Sequence, residues 1–411
     1  MKEKILKELP GVVSEIDGVE LKLEAKPRLR IFFNSNAPYS NSGYGQQMAE
    51  LLPAFVKAGY PTAISAFYGL EGGIISLDGI TIYPKIGDVW GSDAMVEHSK
   101  AFKADVVFTL QDLWVVDPNM LRLLKHWIPI VPVDHQPIPP SIHERLRMAY
   151  RIITYSPFGK RELDRVGMHS TYIPHTVDTD NFKPMDRTEI RKQIGIPEDI
   201  FLFGMVSANK DNPPRKEFQR VMDAFVLFLK DHPKSGLYFH TLLEQGGGFN
   251  IKQYADFLGI SSKIYHVQPY EQLFGVTKQD MPKIYSSFDC LLCPSANEGF
   301  GVPIIEAQSC GIPVITNNFT AMPDLIIDGK TGFLCDVGYK RFTPLGAYIG
   351  ETTVKSIHEN MEKVFNTDRK KMGRAGRKFI INNFDTKKIV AEKWLKYLEM
   401  LEKEIYPDKI D

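Results

Sequence analysis

Short apolar runs alternate with helix-patterned stretches along these 411 residues, and the alternation is played twice. The first series of runs is LRIFFN (29–34), TAISA (62–66), ADVVFTL (104–110), IPIVPV (128–133) and RIITYS (151–156), with helical spacing over about 46–58, 95–102 and 118–126. The second is FLFGMVS (201–207), LYFHTL (237–242), KIYHV (263–267), DCLLCP (289–294) and PVITN (313–317), with helices expected over about 215–231, 250–258, 279–287 and 303–310. Runs this short and this rich in branched and aromatic residues suit strands buried on both faces. A helix after each strand returns the chain to start the next strand parallel to the last. A chain of this length exceeds one ordinary core, and YIPHTVDTDNFKP (172–184) between the series reads as a linker. The expectation is an α/β protein of two facing Rossmann-like doubly wound domains. In such sheets ligands bind beyond the carboxyl ends of the strands, so the cleft between the domains is the expected site.

Composition narrows the classes. Apolar content is 43% and charged content 24%, with a formal net charge of zero. Bulk charge therefore gives no hold on nucleic acid or anionic lipid, although a local groove built from Lys160, Arg161 and Arg165 is conceivable. No apolar run reaches membrane-span length, and MKEKILKELPGVVSEIDG lacks a signal-peptide core and reads as a short charged helix or arm. No integral membrane segment and a cytoplasmic location are expected. Cys290 and Cys293 form a C-x-x-C in an apolar run with no second pair, which reads as buried core rather than a zinc site.

The segment PSANEGFGVPIIEAQSCG (294–311) carries the most chemistry. Glu298 and Glu306 flank Gly299 and Gly301, and Pro303 opens an apolar helical run that Gly311 closes. Glycines let backbone amides approach a ligand, and the free N–H groups of a helix start favour an anion. Carboxylates accept hydrogen bonds from hydroxyls. Anion-binding amides beside two carboxylates suit a ligand with phosphates and hydroxyls, such as a nucleotide sugar.

With NSGYG (41–45) after the first strand, the linker 172–184, NKDNPPRKEF (209–218) after the first strand of the second series, and a terminal FDTKKIVAEKWLKYL, this block resembles the retaining glycosyltransferases of the GT-B fold. The resemblance is to the large E-x7-E family of group 1, family 4-like glycosyltransferases, and covers roughly residues 29 to 400. It implies an arm at 1–27, an acceptor-side domain at 28–175, a nucleotide-sugar domain at 176–384, and a helix at 385–411 crossing back to the first domain. It implies that Glu298 bonds sugar hydroxyls, that the amides of Phe300, Gly301 and Val302 reach sugar and phosphates, and that Glu306 binds the ribose. Arg215 and Lys216 would neutralise the diphosphate, and Gly43 and Gly45 would let the first-domain loop close on it. Asp134 and His135, in PVDHQPIPP (132–140), would lie near the anomeric carbon, with the leaving phosphate taking the acceptor proton. Where relatives often carry an arginine before the lysine, this chain reads SANK, with Asn209 in that place.

Bland readings stand beside these. Glu298 and Glu306 could cap a helix, Lys216 could be solvated, Asp134 and His135 could be turn residues, and His175 could be structural. Asp178-Thr179-Asp180 has the spacing of a metal-diphosphate motif but falls in the linker, so catalysis without a metal or other cofactor is expected. The competing classes are a sugar-nucleotide epimerase and a non-catalytic nucleotide-sugar-binding protein. The acceptor stays open among a glycan, a lipid-linked sugar, a small metabolite, a protein and a modified nucleic-acid base. Aromatics in NAPYSNSGYGQQ and QDLWVVDPNM, namely Tyr39, Tyr44 and Trp114, could stack on sugar or base alike. The donor nucleotide (uridine or guanosine) is equally open.

Overall fold

The computed structural model describes residues 14–16, 19–21 and 28–407. Most of the expected N-terminal helix or arm lies outside those residues; Ser14–Ile16 and Val19–Leu21 form a small antiparallel pair. The first sheet has eight strands in the order Thr171–Tyr172, Ile153–Thr154, Trp127–Val131, Val106–Thr109, Ile31–Asn36, Thr62–Tyr68, Ile80–Pro84 and Ile75–Leu77. All neighbours run parallel except the last two. The second sheet is parallel throughout, in the order Ile264–His266, Ser235–His240, Phe201–Val206, Cys290–Cys293, Val314–Asn317 and Gly332–Cys335. In each sheet the first strand is central and later strands add on one side and then on the other. Strand order therefore reverses between Ile31–Asn36 and Val106–Thr109, and again between Phe201–Val206 and Cys290–Cys293. The loops leaving those four carboxyl ends border a natural ligand crevice.

The apolar runs fold as strands because both faces are covered: Ile31, Phe32 and Phe33, for example, are all fully buried. Helical spacing over 118–126 gives only the short helix Pro118–Leu121; Trp127, which follows, is drawn into a strand whose five residues are all buried. The helices Val354–Phe365 and Arg369–Phe384, not among those expected, are added to the second domain.

The chain passes between the domains twice, and the two passages are bonded together. Val177 N donates to Phe384 O at 3.0 Å and Thr386 N donates to Val177 O at 3.1 Å. The second passage continues as Thr386–Ile389, a π-turn over Val390–Trp394, and Leu395–Ile405. It lies on the first domain, where the buried Trp394 ring meets Phe55 at 5.5 Å and Phe108 at 6.1 Å. Glu402 there accepts from Leu29 N at 3.2 Å, and Glu404 pairs with Arg151 at 2.6 Å. A hairpin of Val337–Phe342 and Tyr348–Thr352 leans from the second domain to the first, where Gln136 and Tyr348 exchange backbone hydrogen bonds of 3.0 and 2.8 Å. Among the described residues no helix is long and apolar enough to cross a membrane.

Candidate active site in the interdomain cleft

The loop after Cys290–Cys293 is anchored before it reaches the cleft. Ala296 N donates to Arg215 O at 2.7 Å, and Glu298 N donates to Thr320 Oγ1 at 3.2 Å. Gly301 takes the left-handed φ of 112° that turns this loop into the helix Val302–Ser309, with Pro303 in its first turn. The amides of that first turn have no partner within the helix and point along its positive end. Gly311, at φ 77°, ends the helix.

Glu298 sits between both basic residues. It pairs with Lys216 Nζ, and Arg215 Nη1 lies 3.7 Å from its other oxygen while donating to Asn297 O at 3.0 Å. Burial acts to raise the Glu298 carboxyl, but Lys216 and Arg215 outweigh it and hold the group at about 2. It is ionised at any working pH, with lone pairs left for hydroxyl donors.

The first domain meets this cluster directly. Asn297 Nδ2 donates to Asp134 Oδ2 at 2.8 Å, and Asp134 Oδ1 lies 2.6 Å from His135 Nδ1. Asp134 is an acceptor, so Nδ1 carries the proton and Nε2 of a neutral His135 is left as a lone pair. The loop after Val106–Thr109 adds Asp112, which accepts from Tyr44 Oη at 3.2 Å. Burial, with Asp134 close by, pushes Asp112 up to about 6. Asp112 was not singled out from sequence; an acidic residue in a loop carries no local signal of which charges will surround it.

Glu306 lies deeper, on the second turn of its helix. It is buried and accepts from Tyr285 Oη at 2.6 Å. Burial pushes its carboxyl up to about 7, against the opposing hydrogen bond from Tyr285. Tyr285 is a second partner that no spacing in the sequence announces. Beside this group Lys278 of the second domain pairs across the cleft with Glu50 of the helix Gly43–Lys57.

The remaining expected residues fall as follows. Gly45 lies in the first turn of Gly43–Lys57, where Ser42 caps the helix by accepting from Gly45 N at 3.0 Å. A Cβ on Gly45 would stand 2.7 Å from Ala37 O, whereas one on Gly43 would meet nothing within 4 Å. Close packing therefore demands glycine at Gly45 and not at Gly43. The Phe300 ring turns away from the cleft into the domain junction, edge-on to His175 at 5.1 Å and to Tyr155 at 6.1 Å. Val302 opens the helix. His175 stacks on Tyr155 at 4.0 Å, and burial pushes it down to about 3, so it is neutral packing at the junction. Asn209 does not face the cleft. Its Nδ2 donates to Phe249 O at 2.7 Å and its Oδ1 accepts from Phe249 N at 2.8 Å, stapling two loops. The basic residues of this loop that face Glu298 are Arg215 and Lys216. Cys290 and Cys293 are buried and free.

With this geometry in view, the comparisons with known proteins are consistent. Residues 186–343 match the family described as "Glycosyl transferases group 1". The "D-inositol 3-phosphate glycosyltransferase" of Geodermatophilus obscurus is 29% identical over 171 residues, 40% of this chain and 36% of that protein. The chain spans about a third of the length of the curated relatives it matches, with 36 and 34% for two of them. Among solved structures, the sucrose-phosphate synthase of Thermosynechococcus elongatus superposes with a TM-score of 0.71 at 15% identity, over 90% of this chain and 99% of that one. Anabaena HepE, solved in complex with UDP and glucose, gives 0.66 at 14% identity, over 91% of this chain and 100% of that one. At such identities the structural likeness speaks for the fold alone. Residues 186–343, within the second domain, thus match the glycosyl transferases group 1 family, and both domains together have the GT-B fold.

Proposed function

We propose that the protein is a retaining hexosyltransferase that moves a sugar from a UDP- or GDP-linked donor to an acceptor hydroxyl without a metal ion. The observation that carries this is the buried Glu298 carboxylate, held ionised by Lys216 and Arg215 and facing the Asp134–His135 pair across the cleft. Arg215 and Lys216 are placed to receive the diphosphate together with the first-turn amides at Val302. As the bond from the anomeric carbon to the diphosphate oxygen breaks, charge grows on that oxygen, and fixed cations stabilise it most at that moment. Glu298 orients the sugar hydroxyls and Glu306 the ribose. The acceptor oxygen bonds to the anomeric carbon on the departing side and its proton passes to the leaving phosphate oxygen. Asp134 and His135 stabilise positive charge on the ring.

Two further facts support the reading. HepE, of the same fold, was solved with UDP, so UDP is the nucleotide to try first. The linker acids are engaged outside the cleft cluster: Asp180 pairs with Lys387 at 2.5 Å, and Asp178 accepts from Asp180 N at 3.0 Å.

The test is thermal unfolding with UDP, GDP, ADP and their sugar conjugates, with and without EDTA, on the parent chain and on Lys216→Ala. Nucleotide at about a hundred times its Kd adds about 2.7 kcal/mol. One nucleotide should shift the parent, EDTA should not matter, and Lys216→Ala should lose most of the shift. A shift abolished by EDTA overturns metal independence; no shift from any nucleotide overturns the donor assignment.

A further inference from the structure

The first-sheet side of the cleft has a charge pattern that bears on the acceptor. The loops 37–42, 69–74, 85–91, 110–117 and 132–139 leave the carboxyl ends of its strands. They carry Glu71, Asp88, Asp112, Asp117 and Asp134, and the one Lys or Arg among them is Lys85, which pairs with Glu71 at 2.5 Å. Three neighbouring basic residues are paired as well, Lys160 with Asp164 at 3.1 Å, Arg161 with Asp324 at 3.5 Å, and Arg165 with Glu162, while Lys340 on the hairpin donates to Gln136 Oε1 at 3.2 Å. The Asp112 carboxyl is already raised, first by burial and then by Asp134 beside it. A phosphate brought here meets like charge in a partly desolvated corner.

These loops and the end of the strand Thr62–Tyr68 display aromatic rings. Tyr39, Tyr68, Trp90 and Trp114 are 47, 57, 44 and 46% exposed. Their segments form one rim: Ala37 N donates to Tyr68 O at 2.8 Å, the Phe67 and Trp90 ring centroids lie 6.3 Å apart, and Asp117 N donates to Ser92 Oγ at 3.2 Å. Beneath the rim the buried Asn34 and Gln111 bond each other at 2.8 Å, which leaves Asn34 Oδ1 and Gln111 Nε2 without a partner among the described residues. Aromatic faces suit the C–H faces of a pyranose, while carboxylates and amides suit its hydroxyls.

We propose that the acceptor is an uncharged saccharide that stacks on this aromatic rim and presents a hydroxyl to the Asp134–His135 pair. This rests on the transferase reading above, and it separates this protein from the relative named for an inositol phosphate.

The test uses the full chain and whichever sugar nucleotide gives the thermal shift, with nucleotide release as the readout. Methyl glycosides and disaccharides of neutral hexoses are compared with hexose phosphates, inositol phosphates and oligonucleotides. A neutral saccharide should accelerate release at least about tenfold more than any phosphorylated compound, with kcat/KM flat as salt rises. Trp114→Ala should raise the acceptor KM about tenfold, with the nucleotide thermal shift intact. Preference for a phosphorylated or nucleic-acid acceptor overturns the proposal. So does donor hydrolysis that no neutral saccharide accelerates, and so does an unchanged acceptor KM in Trp114→Ala. Absence of both nucleotide binding and hydrolysis instead overturns the transferase reading, and this inference with it.

Discussion

Glu306→Gln keeps the shape of a buried side chain and removes its charge, so it measures what the ionised carboxyl costs the fold. The group titrates at about 7 in the folded protein against an ordinary 4.5, chiefly because burial disfavours the charged form. That gap is equivalent to about 3 kcal/mol. The folded chain holds this proton more tightly than the unfolded one. Stability from this group is therefore complete below about pH 4.5 and is lost as pH rises to about 7. Glutamine has no such dependence, and its amide oxygen still accepts from Tyr285 Oη. In urea unfolding without nucleotide, the variant should exceed the parent by up to about 3 kcal/mol near pH 8, and by about 1 kcal/mol or less near pH 5. If Glu306 binds the donor ribose, the same variant should lose most of the stabilisation that nucleotide confers. A residue that stabilises when neutralised yet is needed for binding is placed there for ligand rather than for folding. A gain independent of pH, or a variant weaker than the parent near pH 8, would refute the account of Glu306 as a carboxyl held against its desolvation.

Two other substitutions probe how the cleft is held. A Cβ on Gly299 would stand 2.8 Å from Tyr155 Oη and 3.2 Å from Pro132 Cβ, and the Tyr155 ring is pinned on His175. Gly299→Ala should push the domains apart, costing about 1–3 kcal/mol of stability and about tenfold or more in kcat/KM; unaltered kinetics would mean that this contact does not set the cleft. Trp394→Ala empties a buried site between Phe55 and Phe108. It should cost about 3–5 kcal/mol in denaturant unfolding, and a loss under about 1 kcal/mol would show that the returning helix does not hold the first domain.

Five strands of each sheet were legible in the sequence, because a strand buried on both faces writes its pattern locally in a handful of adjacent residues; Ile75–Leu77, Ile80–Pro84, Thr171–Tyr172 and Gly332–Cys335 were not. FLFGMV and CLLC fold within a residue or two of where their apolar runs lie. The hairpin Val337–Phe342 and Tyr348–Thr352 was missed for the opposite reason. Its first strand, VGYKRF, has no fully buried residue and alternates nothing, and its place comes from a bridge to Gln136. The loop-to-helix turn at Glu298 to Glu306 was equally readable, since glycine, proline and carboxylate at fixed offsets act on their immediate neighbours. The helix at 118–126 shows the limit: local spacing allowed it, and burial of Trp127 in the sheet won.

The charge state of the site was not readable in that way. Glu298 and Glu306 are eight positions apart in the same segment. One is held at about 2 and the other at about 7. The difference comes from Lys216, 82 residues away from Glu298, and from the burial of Glu306 against Tyr285, 21 residues away. Asn297 likewise reaches Asp134 across 163 residues. Hydrophobic periodicity and turn chemistry act between neighbours in the chain, so they specify strands, helices and a glycine-lined loop. Electrostatics and desolvation act through space, so which carboxyl is ionised was settled only when the second domain packed, and what faces it across the cleft only when the two domains met.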